Sequence, residues 1–234
     1  MKPSKSMAFG CLVEALIIGE DIGEMFYINC PASEKAQYAE NKIHKANGLT
    51  EITQEQLNKA TLTIEGMKYD ERGLLLESLM SEAKHGVVVR FEDELTGLPI
   101  QVRYDTIFPN VGIVDWKTTK DHPSKFSKSA YDYGYNLQQY IYQGAWHKAT
   151  GEELGFYFPV FQNCYPFEFD FIELPRELIE DAKACYTTSI KGIKEMLDFG
   201  GMPIRKGHEA SIPEIPAYIS WKFKGTGTEA ENGA

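Results

Sequence analysis

The sequence predicts an α/β chain with a central mixed β-sheet flanked by helices. Three observations lead there. Helical patterning fills the first part of the chain. Strand alternation then runs from residue 86 to 117. A helix, a β-hairpin and a long helix follow in that order, which suits one sheet covered by helices.

The elements can be justified in turn. Ser6 is placed to cap a helix over residues 7–18, in which Gly10 and Glu14 lie four apart and share a face. Residues 21–53 are mixed and turn-rich, with no strong period. Thr53 and Gln56 have the spacing of a capping box, so a helix should run from there to about Met67. A short helix is expected over residues 71–83. Residues 86–92 carry the Val87-Val88-Val89 run of a strand, and residues 93–97 turn. Residues 99–108 alternate, with Ile100, Val102 and Tyr104 on one face and Gln101, Arg103 and Asp105 on the other. After a turn at Pro109-Asn110, residues 112–117 read as a third strand. Ile113, Asp115 and Lys117 then point one way, and Val114 and Trp116 the other. Residues 122–129 read as a Ser- and Lys-rich loop, and residues 133–148 as a helix. Residues 156–161 and 167–172 suggest a hairpin. Pro175 opens a helix that should stop at Gly200-Gly201. The small polar residues 224–234 read as a disordered tail behind a single domain over residues 1–223.

Bulk properties narrow the function classes. A chain of 234 residues buries a full core without disulfides. Its four cysteines have no CxxC pair and no zinc-ligand spacing, which suits buried thiols in a reducing cytoplasm. Residues 7–18 are apolar after two lysines, but Glu14 interrupts the run and no small-residue cleavage site follows, so they read as a core helix. No run of 18 apolar residues is present, and no membrane partner is expected. The formal net charge of −10 disfavours a surface that binds phosphate everywhere. It does not exclude a local site, because carboxylates that hold a metal add negative charge themselves.

The chemistry concentrates in Asp105 and in Asp115-Trp116-Lys117. If the two strands pair as an antiparallel hairpin, both carboxylates and the lysine enter one space. Carboxylates at that spacing suit Mg²⁺, with Mn²⁺ as a substitute, and the Trp116 carbonyl is a further candidate ligand. Lys117 would position or deprotonate a water, or stabilise a pentavalent phosphate. A solvated sheet face carrying the same charges is the competing reading. Gln138 and Tyr142 are four apart on one helix face, and both can bond phosphate oxygens. Thr118 is a candidate phosphate contact, as are Lys125 and Lys128 in their basic run. Glu82 and His85 precede the first strand and are weaker candidates to line the site, since loop residues there are usually solvated. His122 and His147 show no partner spacing.

Three runs, 102–105 (V-R-Y-D), 114–119 (V-D-W-K-T-T) and 135–142 (Y-N-L-Q-Q-Y-I-Y), together resemble the PD-(D/E)XK nuclease superfamily. The likeness is to its exodeoxyribonuclease VIII (RecE-type) and phage-associated branch. Residues 7–10 look like that branch's first helix and residues 216–223 like its closing aromatic segment, so the resemblance covers most of the chain. It implies a PD-(D/E)XK core with Asp105 and Asp115 as metal ligands, Lys117 as the catalytic lysine, and Gln138 and Tyr142 organising the site and touching DNA. The branch usually places a His metal ligand after G-x-x-x, where this chain has Glu14, another hard oxygen donor. The resemblance further implies 5′-to-3′ digestion of double-stranded DNA ends and a homo-oligomeric ring, trimer or tetramer. It also implies a single-strand annealing recombinase as partner, in a bacterial or phage-infected cytoplasm. An endonuclease of the same superfamily and a catalytically silent DNA-binding module are the alternatives.

Overall fold

The computed structural model describes residues 4–31 and 33–200. The aromatic segment 216–223, the tail 224–234 and the boundary at 223 lie outside the described residues.

The chain opens with α1 (Lys5–Ile18), whose N-cap is Ser4 rather than Ser6: the Ser4 hydroxyl accepts from the Met7 amide at 3.2 Å. Gly19 at φ 74 closes the helix. The segment that lacked a sequence period is not irregular. It holds β1 (Phe26–Ile28), α2 (Lys35–Ala46) and β2 (Thr50–Ile52), with β1 and β2 forming a small parallel pair. Three-residue strands are too short to show alternation, and α2 is mostly polar, with Asn41 as its buried residue. Thr53 then caps α3 (Gln54–Glu65) through both halves of the expected capping box. A 3-10 turn at Gly66–Tyr69 leads into α4 (Glu71–Leu79). α1 packs on α3 through Phe9, Leu12, Val13 and Ala60, with Ile52 of β2 beneath.

The main sheet has six strands. Its order is β10 (Phe169–Ile172), β9 (Gly155–Gln162), β7 (Gly112–Val114), β6 (Thr106–Phe108) and β3 (Lys84–His85), with β8 (Lys117–Thr119) also pairing β9. A separate two-stranded ribbon pairs β4 (Val88–Glu92) with β5 (Pro99–Arg103). Residues 99–108 are therefore not one strand. The chain leaves the ribbon at Tyr104-Asp105 and enters the main sheet at Thr106. Residues 112–117 also break, after Val114. β9 spans that second break: Tyr157 pairs with Val114 and Val160 with Lys117, so Asp115 and Trp116 lie level with Phe158 and Pro159 without being paired to them as strand residues. Pro159, which has no amide to donate, lies at this level of β9.

Helices α5 (Phe126–Asp132) and α6 (Tyr135–Thr150) connect β8 to β9, and α7 (Arg176–Asp198) packs on α6. The expected loop at 122–129 is a 3-10 turn (Pro123–Lys125) followed by α5. Serines and lysines line its exposed side, while Phe126 and Ala130 are buried. Gly134 at φ 71 separates α5 from α6, a conformation that glycine adopts without strain. The sheet's two faces carry different cores. Tyr104, Ile113, Phe156, Phe158 and Val160 pack with Phe126 on one side. Phe108, Val114, Trp116 and Phe161 pack with Met67 and Leu76 on the other. The expected split between Ile113 and the Val114/Trp116 pair is thus realised. Each of these side chains is worth about 1.5–3 kcal/mol on burial, so the strands around the breaks are firmly held.

Candidate active site

The two breaks define the site. β6 and β7 pair antiparallel, with Thr106 opposite Val114, so the next residue outward on each strand is Asp105 facing Asp115. Here the hairpin expected from sequence brings both aspartates together. The Trp116 amide donates to Asp105 Oδ2 at 3.3 Å, and the Asp115 amide donates to the Tyr157 carbonyl at 3.1 Å. Asp115 is 2% exposed. Both its carboxylate oxygens are engaged: Lys117 Nζ donates to Oδ1 and Gln138 Nε2 to Oδ2. Gln138 projects from α6, so that helix fixes the plane of the Asp115 carboxylate.

Lys117 is held from several sides. Its ammonium lies 4.5 Å from the centre of the Tyr135 ring and 5.9 Å from that of Phe158. Burial lowers its pKa to about 8, against the opposing pull of Asp105 and Glu14. Burial also raises the Asp105 carboxyl above its ordinary value, and Lys117, the Trp116 amide and Arg103 only partly offset this. Glu14 reaches the same space from α1. Burial and then the charge of Asp105 lift it to about 7, while Arg103 and Lys117 act the other way. Glu14 is therefore half-buried within electrostatic reach of Asp105 and is not a solvated helix edge. Gly10, one turn earlier, faces β8: a Cβ there would stand in ordinary contact, 3.7 Å from the Thr118 hydroxyl. Thr118 thus lies under α1. Tyr142 follows Gln138 by one turn. Burial raises its hydroxyl pKa, Gln138 lowers it by hydrogen bonding, and Asp105 raises it. Lys125 and Lys128 are exposed on either side of Phe126, whose ring stacks on Tyr135 at 5.7 Å.

Four further contributors emerge, of which the sequence offered only His85, as a weak candidate to line the site. Thr106 is fully buried; its hydroxyl accepts from the Trp116 indole at 2.9 Å and bonds His85 Nδ1 at 3.0 Å. His85, read as a solvated loop residue, is half-buried in β3, and burial lowers its pKa. Tyr135 covers Lys117, and Arg103 offsets the charge of Glu14 and Asp105. Tyr135 and Arg103 stand inside the quoted motifs, but their types alone do not announce these contacts. Thr106 was visible only as the neighbour of Asp105.

Three carboxylates here face two cations, Lys117 and Arg103. Burial holds Glu14 and Asp105 above their ordinary pKa values, and hard oxygen donors of this kind suit a divalent cation. Among the described residues no three His, Cys, Asp or Glu side chains stand close enough together to hold one. In this arrangement Lys117 and Gln138 take both Asp115 oxygens.

A short mixed sheet with two acidic strand breaks and a buried lysine defines a PD-(D/E)XK-type fold. The comparisons agree. Residues 1–213 match the family described as "PDDEXK-like domain of unknown function (DUF3799)", and the chain belongs to that family. The fold is similar to the crystal structure of a "Putative exonuclease" from Eubacterium rectale, with a TM-score of 0.57 and 15% identity over 86% of this chain and 70% of that one. No curated protein matches the sequence. The chain is thus a member of the PD-(D/E)XK superfamily, with a mixed central sheet flanked by helices.

Proposed function

We propose that the chain is a metal-dependent deoxyribonuclease that hydrolyses phosphodiester bonds. The observation that carries this reading is Asp105 opposite Asp115 at paired strand ends, with Lys117 held against Asp115. Glu14, Asp105, Asp115 and the Trp116 carbonyl would hold Mg²⁺ or Mn²⁺, which supplies charge neutralisation and an acidified water when bound. The chain's own groups do the rest. Lys117, with its pKa near 8, is neutral in a sizeable fraction at mildly alkaline pH and can take a proton from a water beside it. Gln138 keeps the Asp115 carboxylate from rotating. Thr118, Lys125 and Lys128 are the side chains we assign to the DNA backbone, and Tyr142 to the phosphate beside Gln138.

By the same proposal the substrate is a double-stranded DNA end, digested 5′ to 3′ to leave single strand for an annealing recombinase. The working form is a homo-oligomer, a ring in which basic groups need only line the channel, and the enzyme acts in the cytoplasm. The test is Mg²⁺-dependent cleavage by wild type and by Lys117→Ala. Cleavage should vanish in the variant while binding in Ca²⁺ persists; equal cleavage would overturn the assignment. Covalently closed circles should survive while linear DNA is degraded. Equal rates on both would leave the nuclease and remove the end dependence.

A further inference from the structure

We infer that Tyr133 is a stacking platform for an unpaired base within about three bases of the scissile phosphate, so that the preferred substrate is a frayed or single-stranded DNA end. The inference rests on the nuclease reading above and adds a specificity element to it.

Tyr133 is 74% exposed. It ends α5, directly before the left-handed Gly134, and so stands where the chain turns from α5 into α6. Its ring lies 5.8 Å from the ring of Tyr135, and Tyr135 lies 4.5 Å from Lys117 Nζ. The Tyr133 ring is therefore at most about 10 Å from the ammonium. At about 3.4 Å of rise per stacked base, that distance covers about three bases. Tyr69, Tyr165 and Phe199 are even more exposed, but Tyr133 is the one of the four described in ring contact with the residue that covers Lys117.

The packing does not account for this ring. Tyr135 already closes the core, against Phe126 at 5.7 Å and Phe158 at 5.9 Å. A ring left mostly in water adds little to folding. It retains a flat apolar surface beside a phosphodiester site, and every base has a π-face to place on it. Lys125 and Lys128 are exposed on the turn and helix that lead to Tyr133, which supplies the positive charge that single-strand grooves combine with aromatic rings. A base inside a duplex has both faces covered by its neighbours, and a closed terminal pair offers only its outer face at a position fixed by its partner, so the ring favours ends whose last base is free to turn onto it.

The experiment uses a duplex carrying 2-aminopurine at an unpaired terminal position, with Ca²⁺ as the metal. Wild type and Tyr133→Phe should quench its fluorescence on binding. Tyr133→Ala should not, and its affinity for the frayed duplex should fall about five- to tenfold, within the range for loss of one base–aromatic stack. The same duplex closed by terminal G·C pairs should bind wild type and Tyr133→Ala alike. Unchanged quenching in Tyr133→Ala, or an equal loss in Tyr133→Phe, overturns the platform. Cleavage by wild type and Lys117→Ala is scored separately. A nuclease whose quenching ignores residue 133 refutes only this inference, whereas a protein with no metal-dependent cleavage refutes the parent reading.

Discussion

Replacing Glu14 by Gln removes the negative charge that the site holds least comfortably. The folded carboxyl titrates near 7, against an ordinary value of 4.5. Because the folded value is the higher one, the folded state binds the proton more tightly than the unfolded chain. This group therefore costs nothing below about pH 4.5, its cost grows as pH rises between 4.5 and about 7, and it is complete above that. At about 1.36 kcal/mol per pH unit, the full cost is about 3 kcal/mol. Glu14 keeps part of its surface in water, and screening reduces this to about 1–2 kcal/mol. In metal-free buffer with EDTA at pH 8, Glu14→Gln should therefore melt about 2–8 °C above wild type, at about 2–4 °C per kcal/mol for a chain of this size. At pH 4.5 the gap should close.

Added Mg²⁺ should reverse the order. It stabilises wild type by binding the folded state, and the stabilisation grows with the ratio of free ion to its dissociation constant. The Gln variant lacks one anionic donor and should gain much less. The assay is thermal unfolding followed by circular dichroism, at two pH values with and without the ion. Equal melting temperatures at pH 8 in EDTA would return Glu14 to a solvated helix edge. Equal gains from Mg²⁺ would remove it from the ligand set and leave the buried charge unexplained.

Four further outcomes follow from the contacts. Thr106→Val keeps the shape of a fully buried residue but strands the Trp116 indole N–H and His85 Nδ1. It should cost about 1–3 kcal/mol in urea unfolding and lower kcat more than it raises KM, with Thr106→Ser restoring both. Gln138→Leu should lower metal affinity or cleavage about 10–100-fold, as loss of a group orienting a ligand does, and an unchanged rate would show that Asp115 needs no such hold. The pH–rate profile should rise toward about pH 8 as Lys117 loses its proton, and a rate flat from pH 6 to 9 contradicts that assignment. Far from the site, the Tyr186 hydroxyl donates to Asp93 at 2.6 Å. Burial works to raise the Asp93 carboxyl, but bonds from Thr96, Tyr186 and the backbone outweigh it and hold it below its ordinary value. That stability is present above the ordinary carboxylate range and is lost as pH falls through the depressed value. Tyr186→Phe should cost about 1.5–3 kcal/mol at pH 7 and progressively less in acid.

Much of the fold was legible because its large elements follow simple periods. The capping box at Thr53, the β9–β10 hairpin and the long helix after Pro175 occur where the residues placed them. The first quarter was not legible, because β1 and β2 are three residues each and gain their order from α1 and α3 packed over them. The run 122–129 hid a helix because its buried residues, Pro123 and Phe126, with Ala130 just beyond, are too few to register as a period. Asp105, Asp115, Lys117 and Gln138 could be read from strand alternation and helix spacing. His85 and Thr106 could not, since their role depends on a β3–β6 pairing that no local pattern announces.

The errors of reading and the site have one origin. Residues 99–108 and 112–117 look like continuous strands because apolar residues alternate from Ile100 to Tyr104 and no Gly or Pro falls inside either run. The chain nonetheless breaks at Tyr104-Asp105 and at Asp115-Trp116. An unbroken ladder would commit these residues to pairing with neighbouring strands. The breaks instead send the Trp116 amide to the Asp105 carboxylate and the Trp116 indole to Thr106, while Tyr104 turns its hydroxyl to the Tyr142 carbonyl at 2.9 Å. Two acids then face each other in a buried space, a costly arrangement that Lys117, Arg103 and the amide only partly relieve. The strand alternation carries the acids to the same level, and the interruption of the ladder, held open by β9 running past it, leaves them free to act on something other than the sheet.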